Sequence, residues 1–186
     1  MTHTKLLAAL IVAGTAMGAQ FAHAATNADG QITFNGQITA QTCTINGNGT
    51  GSKNFTVTLP TVSASTLAQA GDTAGQTAFF IALTNCTPNS GNVHTFFEAG
   101  PTTDSTTGNL IVDAGGASNV QIRLLNGGSG PANPIKAGFT DAAQNSTVYP
   151  INSGSATLPY YAQYYATGAA TAGAANSTVM YSISYE

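Results

Sequence analysis

Apolar and polar positions alternate from residue 29 to residue 38, which read DGQITFNGQI. Ile32, Phe34 and Ile38 share one parity with Gly36, and a period of two predicts a strand that buries one face. The glycines weaken this strand as an independent element, because glycine loses more backbone entropy and has no side chain to pack. The stretch is therefore either an ordinary first strand or a strand that packs on another body.

The last residues of the chain carry the same pattern. Val179, Tyr181, Ile183 and Tyr185 alternate with other residues up to the end of the sequence. This alternation predicts a final strand with one buried face. The preceding segment, GAATAGAAN, is small and flexible in composition, which separates this strand from the tyrosine-rich run before it.

Between the two ends, short apolar runs are separated by turn residues. The run over 79–86 is apolar on both faces, which predicts a central strand. Residues 61–75 are expected to form a long connection with a helical turn. Regular short strands without a long helical period predict an all-β sandwich of the immunoglobulin-like type. The strands predicted for this body cover residues 42–45, 55–59, 79–86, 93–98, 110–113, 120–125, 148–151, 158–165 and 179–185.

The chain begins with a pattern typical of a secretory signal peptide. Lys5 precedes an apolar run over residues 6–12, and residues 22–24, Ala-His-Ala, have the small-x-small pattern of a cleavage site. The apolar run is too short for a membrane anchor. We expect cleavage after residue 24, which leaves 162 residues (186 minus 24). That length is enough for one domain with a core.

Few charged residues remain in this mature part. Lys53, Arg123 and Lys136 are its only basic residues and seven residues are acidic, which gives a formal charge of −4. A nucleic-acid partner is not expected, because nothing basic is available to bind a phosphate backbone. Charged residues make up 6% of the chain, far below the usual share of about a quarter. Such a surface repels other copies weakly, which favours a subunit of an assembly over a free enzyme or a merely neutral secreted protein.

Cys43 and Cys86 are the only cysteines of the chain. The predicted leader sends them to an oxidising compartment, so a disulfide is expected. Closing a loop whose ends lie 43 positions apart would remove unfolded-state entropy worth about 4 kcal/mol in the chain-entropy model. A redox role is disfavoured because the pair lacks C-x-x-C spacing.

Side chains that could carry catalysis or bind a metal are scarce. His94 is the only histidine outside the predicted leader, and one histidine beside a disulfide cannot complete an ordinary zinc or copper site. No G-x-S-x-G motif accompanies it, so His94 is expected to be a plain strand residue. Glu98 and Asp104 are expected to be solvated carboxylates and not an acid/base pair. We therefore expect no enzymatic activity, no cofactor and no small-molecule substrate.

Six segments taken together resemble one protein family. In chain order they read GQITFNGQI, TCTI, VTLPTV, GQTAFFIALTNC, YYATGAATAG and VMYSISYE. This combination is similar to the major subunits of type 1 fimbriae, the pilins that are assembled by the chaperone–usher pathway. The resemblance covers essentially the whole mature chain. It implies an incomplete immunoglobulin-like sandwich that lacks its last strand.

The resemblance also implies how the missing strand is supplied. A periplasmic chaperone provides it first, and the N-terminal extension of the next subunit provides it afterwards. Residues 25–40 would be this extension and residues 41–186 the sandwich, with Glu186 presenting the free carboxylate that the chaperone anchors. The residues implied to act are the donor register Ile32, Phe34, Gly36 and Ile38, the disulfide pair Cys43 and Cys86, and the chaperone-binding edge Val179, Tyr181, Ile183 and Tyr185.

Partners and location follow from the same resemblance. The partners would be copies of the chain or related fimbrial subunits, the periplasmic chaperone and an outer-membrane usher. The chain would be exported through the periplasm to the cell surface. A donor at one end and a groove on the body make a head-to-tail contact that does not close, so it generates a filament.

Three other functions compete with a major fimbrial subunit. A tip adhesin needs a receptor domain in place of the donor segment, and 162 residues leave no room for one. A secreted β-sandwich enzyme is disfavoured because catalytic groups are lacking. A minor adaptor or adhesive tip-associated fimbrial subunit stays open as the alternative, since an adaptor too would have both a donor segment and a groove.

Overall fold

The computed structural model describes residues 31–35, 42–128 and 133–186. The chain divides into two units, Met1–Gln37 and Ile38–Glu186. The predicted leader lies outside the described residues.

Of the first unit, the structure describes residues 31–35, and they have no regular secondary structure. The side chains of Ile32 and Phe34 are 78% and 89% exposed. Gly36 and Ile38, the other two residues of the predicted donor register, lie outside the described residues. Whether the four act as one register therefore stays a prediction.

The second unit is built almost entirely of antiparallel strands. Its helical elements are a 3₁₀ turn, Ala64–Leu67, and a single-turn helix α1, Asp141–Gln144. The strands are β1 Thr42–Gly47, β2 Thr73–Thr87, β3 Gly91–Phe97, β4 Leu110–Ile111, β5 Val120–Asn126, β6 Tyr149–Ile151, β7 Ala156–Ala166 and β8 Tyr181–Tyr185. One sheet has the order β1-β2-β7-β5-β4 and the other has the order β6-β3-β8. The prediction of an all-β sandwich is confirmed.

Strand β2 occupies the interior position that its pattern predicts. It lies between β1 and β7, and its residues Phe79, Ile81 and Leu83 are buried. It begins at Thr73, within the stretch predicted as a connection. Strand β5 keeps the predicted alternation, with Val120, among others, turned inward. The alternation in β5 follows from the period of two in a strand that buries one face.

The hydrophobic core lies between the two sheets. Tyr160 of β7 is 1% exposed and forms its centre. The ring centroid of Phe79 lies 5.5 Å from that of Tyr160, and Phe97 of the smaller sheet meets Tyr160 edge-on at the same distance. Edge-on and tilted aromatic pairs stabilise a core beyond the area that they bury. The contact between Phe97 and Tyr160 joins the two sheets.

The expected disulfide is present. Cys43 and Cys86 are bonded, and their Cα atoms lie 4.1 Å apart on the neighbouring strands β1 and β2. Strand β1 is at the edge of its sheet and pairs with β2 among the described residues. The disulfide therefore fixes the edge strand β1 to the interior strand β2.

Two local predictions differ from the structure. Residues 55–59 were predicted as a strand, but they belong to neither sheet. The helix α1 was not predicted, because four residues carry no helical period. It forms over a tertiary contact: the buried side chain of Gln144 accepts a hydrogen bond from the Phe97 amide at 2.7 Å and donates to the Phe97 carbonyl at 2.9 Å.

Within the ranges that the structure describes, no helix has the length and apolar character needed to cross a bilayer.

Candidate functional site

An apolar cavity of about 550 Å³ lies along one side of the second unit. Its floor consists of residues from all five strands of the larger sheet, together with Phe97 of the smaller one. The floor residues contributed by the larger sheet are Ile45, Phe79, Ile81, Leu110, Ile122, Leu124 and Ala162. We refer to this cavity as the groove.

The first wall of the groove is the segment 54–59. It contains residues 55–59, which were predicted to form a strand but belong to neither sheet. Phe55, Val57 and Leu59 are half-buried and pack against the core, whereas Thr56 and Thr58 are exposed. This is the alternation of a strand, but the segment pairs in a ladder with no described residue. The side-chain pattern was read correctly, but no residue that the structure describes supplies a hydrogen-bonded neighbour.

The second wall is formed by residues 177–181, which lead into β8. Val179 and Tyr181 are half-buried and pack against the core, and Met180 between them is 78% exposed. Apolar side chains therefore line the groove from both walls. The four residues of the predicted edge, 179, 181, 183 and 185, all pack on the core in this way.

Among the described residues, no strand pairs with the backbone of β8 on the side away from β3. Asn92 and Glu186 exchange two hydrogen bonds, and the Glu98 amide donates to the Met180 carbonyl. Hydrogen-bonded and non-hydrogen-bonded pairs alternate in an antiparallel ladder. The amides and carbonyls at 181, 183 and 185 consequently point away from β3. They form an open sheet edge, which is a template for another strand.

The side chain of Tyr181 links the second wall to the first wall and to Lys53 beside it. The Tyr181 hydroxyl donates a hydrogen bond to the Lys53 carbonyl at 2.7 Å. The Tyr181 ring also meets Phe55 edge-on, with 6.2 Å between the centroids. Burial raises the pKa of Tyr181, so the hydroxyl keeps its proton and its donor role at neutral pH. The contact fixes the spacing of the walls at this end of the groove.

The arrangement suits one kind of ligand. An apolar floor binds alternate apolar side chains, and an unpaired edge binds the backbone of an extended segment. Lys53 is the one charged residue among those that line the groove. An extended peptide with a period of two therefore satisfies both features at once.

The candidate acidic residues take part in local structure. Asp104 accepts hydrogen bonds from the Thr106 amide and from the Gln121 side chain, and these bonds lower its pKa. Glu98 accepts a hydrogen bond from the Ser182 hydroxyl at 2.7 Å. Both were expected to be merely solvated, and the structure corrects this, because Asp104 stabilises its turn and Glu98 binds the strand β8.

The sequence matches the family model described as type-1 fimbrial protein, A, over residues 59–186. The chain belongs to the type-1 fimbrial proteins. It is 50% identical over 166 residues to the major fimbrial subunit SMF-1 of Stenotrophomonas maltophilia, covering 87% of this chain and 95% of that protein. It is 52% identical over 163 residues to the F17 fimbrial protein of Escherichia coli, with coverage of 85% and 88%.

A solved structure is similar in both fold and sequence. The crystal structure of an antigen and type I fimbria protein of Burkholderia pseudomallei superposes with a TM-score of 0.55 at 31% identity. The match covers 78% of this chain and 99% of that one. The chain is thus a structural subunit of a fimbria, in which subunits polymerise with one another, and it is exported to the cell surface as part of that fimbria.

One wall of the fimbrial subunit's groove was predicted from the sequence, and the other was not. The residues of β8 were assigned to an edge through the family resemblance. The segment 54–59 was assigned to an ordinary strand, although its alternation of Phe55, Val57 and Leu59 was visible. What identifies it as a groove wall is that it has no ladder partner within the described ranges.

Proposed function

We propose that this fimbrial subunit polymerises by donor-strand complementation. The groove of one copy accepts the N-terminal extension, residues 25–40, of another copy. The observation that carries the proposal is that β8 and the segment 54–59 flank an apolar groove and that no strand of the described residues lies between them. An added strand would pair with the open edge of β8 and cover the floor.

The extension has the chemistry that this groove needs. Ile32 and Phe34 are largely exposed, and burying each in an apolar pocket is worth about 1.5–3 kcal/mol. Gly36 shares their parity, and a glycine fits where two backbones approach closely. Ile38 continues the same face. The polar residues of the opposite parity, such as Thr33 and Asn35, would face away from the floor.

Before polymerisation the same edge needs a temporary partner. Exposed strand edges and apolar grooves promote aggregation. We infer that a periplasmic chaperone pairs with β8 through the residues Val179, Tyr181, Ile183 and Tyr185, and that an outer-membrane usher receives the complex. On this proposal residues 1–24 are removed as a signal peptide. The groove is a binding site for a strand, and we assign it no catalytic role.

Amide hydrogen exchange tests the proposal directly. In sheared wild-type fimbriae the amides of residues 31–38 should exchange slowly, because they would be paired in a sheet. In the chaperone-bound subunit the same amides should exchange at the rate of an unstructured peptide. The amides of β2 serve as the internal control and should be protected in both samples. Rapid exchange of residues 31–38 in the fimbriae would contradict strand donation.

Substitution of the edge residues should lower the amount of subunit that survives export. Tyr181→Ser removes the packing on Phe55 and the hydrogen bond to Lys53. Because the ring is half-buried, this change should lower the free energy of unfolding by about 2 kcal/mol. Tyr185→Ser should act in the same direction. The matched control is Met180→Ser, because that side chain is 78% exposed. Immunoblots of periplasmic extracts, with chaperone co-purification, measure the effect, and control-like levels in both tyrosine variants would exclude this edge.

A further inference from the structure

Arg123 is the only arginine of the chain. It lies on β5 and faces outward from the larger sheet, because its neighbours Ile122 and Leu124 are turned into the core. Its guanidinium carbon lies 3.4 Å from the centroid of the Tyr165 ring on β7. A guanidinium stacked on an aromatic ring is attracted to the face of the ring, and the two flat groups pack closely. Tyr165 therefore restrains the plane of the guanidinium.

A chain of hydrogen bonds also orients the guanidinium. Its Nε atom donates to Oδ1 of Asn109 at 3.2 Å, and Asn109 donates to Oε1 of Gln121 at 2.9 Å. Gln121 in turn donates to Oδ2 of Asp104 at 2.7 Å. Asn109 is buried, which anchors the chain in the body of the subunit. The carboxylate at its end binds Gln121 and does not pair with Arg123.

The outer edge of the guanidinium can bind an anion. Its Nη1 and Nη2 atoms donate to no acceptor in the described part of the chain, and no described carboxylate forms an ion pair with Arg123. The guanidinium fork matches a planar carboxylate, which it binds through parallel hydrogen bonds. Arg123, held by Tyr165 and Asn109, therefore has the chemistry of a carboxylate-binding site.

His94 of β3 already contacts two of the acidic side chains. Its Nε2 atom is 2.7 Å from Oδ1 of Asp141 at the start of α1, and its Nδ1 atom is 3.3 Å from Oε1 of Glu186 at the chain end. The first contact has hydrogen-bond geometry and the second does not. The expectation that His94 is a plain strand residue is therefore wrong. Both carboxylates lie against a side chain of their own subunit.

Asp113 differs from the other acidic residues that the structure describes. Asp72 accepts a hydrogen bond from the Gln69 amide at 2.9 Å, Glu98 accepts one from a serine hydroxyl, and Asp104 accepts one from a glutamine side chain. Asp113 is exposed just after β4, the edge strand of the larger sheet. Within the described ranges its carboxylate has neither a hydrogen-bond partner nor an ion pair.

We propose that Arg123 of one copy binds the Asp113 carboxylate of another copy in the fimbria. The charges are complementary, and a fimbria holds copies of the chain close together. Charged residues make up 6% of the chain, so few other ionic contacts compete. The two residues occupy different surfaces of the subunit, so the contact joins unlike surfaces and repeats along the polymer. It is a contact between subunits in addition to the proposed donated strand and does not depend on it.

The restraint on Arg123 determines how much the contact contributes. An exposed ion pair usually contributes little, because long side chains lose conformational freedom and water screens the charges. Tyr165 and Asn109 already restrain this arginine, so less freedom is lost on binding. The contact is also repeated at every subunit, which adds small contributions along the filament.

Zero-length cross-linking tests the contact. A carbodiimide joins an amine to a touching carboxylate as an amide, and the water removed converts the reagent to a urea. Arg123→Lys keeps the positive charge and supplies the amine. Fimbriae assembled from isotope-labelled and unlabelled copies of this variant are treated and digested. Mass spectrometry should then find residue 123 joined to Asp113, with labelled and unlabelled peptides in one product. Chaperone-bound subunits should not give this product.

Charge reversal measures the contribution of the contact. Arg123→Glu and Asp113→Lys should each make heated fimbriae release monomer roughly two to five times faster, the effect of losing one exposed ion pair. The double variant should recover most of the wild-type rate, because the two charges are exchanged. The matched control is Lys136→Glu, which reverses an exposed charge outside this site and should release monomer at the wild-type rate.

The outcomes that would overturn the proposal are specific. They are a cross-link from residue 123 to a different carboxylate, a cross-link within one copy, or a double variant that shows no recovery. If Arg123→Glu does not assemble, the exposed Asp113→Lys and the cross-link decide. Fimbriae that bind a carboxylated sugar through Arg123 but form no cross-link would assign the site to a glycan. Rapid amide exchange of residues 31–38 would refute strand donation and leave this contact standing.

Discussion

Fimbrial growth should stop when Phe34 is replaced by Asp, while the subunit itself still folds. Phe34 is 89% exposed, so little packing is lost, and the disulfide and chaperone binding should remain intact. An ionised carboxylate cannot enter an apolar groove without a large desolvation cost. No polymer should be detected when chaperone-bound subunits are mixed and followed by electron microscopy and denaturant-free gels. The matched control is Asn35→Asp, which carries the same charge on the opposite parity and should polymerise.

The reciprocal change is made in the groove. Val57→Asp places a charge on the wall formed by 54–59, so this variant should donate its own extension but accept none. Neither variant should polymerise alone. An equal mixture should stop at a dimer, because Val57→Asp donates to the intact groove of Phe34→Asp and no further step is possible. Thr58→Asp, on the exposed side of the same segment, is the control and should polymerise.

These outcomes define the direction of the contact. Normal polymerisation of Phe34→Asp would show that this residue is not part of the donor register. Polymers in the equal mixture would show that the contact is not head-to-tail. If Val57→Asp did not fold as a chaperone-bound subunit, the Phe34→Asp subunit mixed with wild type would still decide, because it should cap filaments and shorten them in proportion to its share.

Loss of the disulfide should sharply reduce the amount of folded subunit. Replacing Cys43 or Cys86 by Ser should lower the free energy of unfolding by about 2–5 kcal/mol, since the bond constrains a long loop in the unfolded chain. The effect should be large here because β1 is an edge strand whose one described neighbour is β2. Thermal unfolding of the chaperone-bound subunit and its periplasmic yield measure the loss.

The control for this prediction is Thr44→Ser, a conservative change on the same strand that leaves the disulfide intact. The double variant, with both cysteines replaced, should lose about as much stability as either single one, because one bond is removed in every case. A wild-type yield in all three cysteine variants would mean that ladder pairing alone holds β1 on the body.

Much of the architecture could be read from local patterns. The alternation of Val120, Ile122 and Leu124 predicted an inward face because side chains in a strand alternate with a period of two. The doubly apolar run over 79–86 predicted an interior strand because both of its faces must be covered. The cysteine pair was predictable because the chain offers no other partner for either thiol. These features depend on residues close in sequence or, for the disulfide, on the chain having two cysteines.

The groove and the contacts of His94 could not be read in this way. The alternation of Phe55, Val57 and Leu59 records which face is buried, but a pattern of side chains contains no information on whether the backbone has a hydrogen-bonded neighbour. His94 meets Asp141, 47 positions away, and Glu186 at the chain end. Their approach depends on the pairing of β3 with β8 and on α1 packing over β3, which are long-range contacts. The sequence therefore determined where strands form and which faces they bury, and the tertiary structure decided which edge stays open and which charges meet beside it.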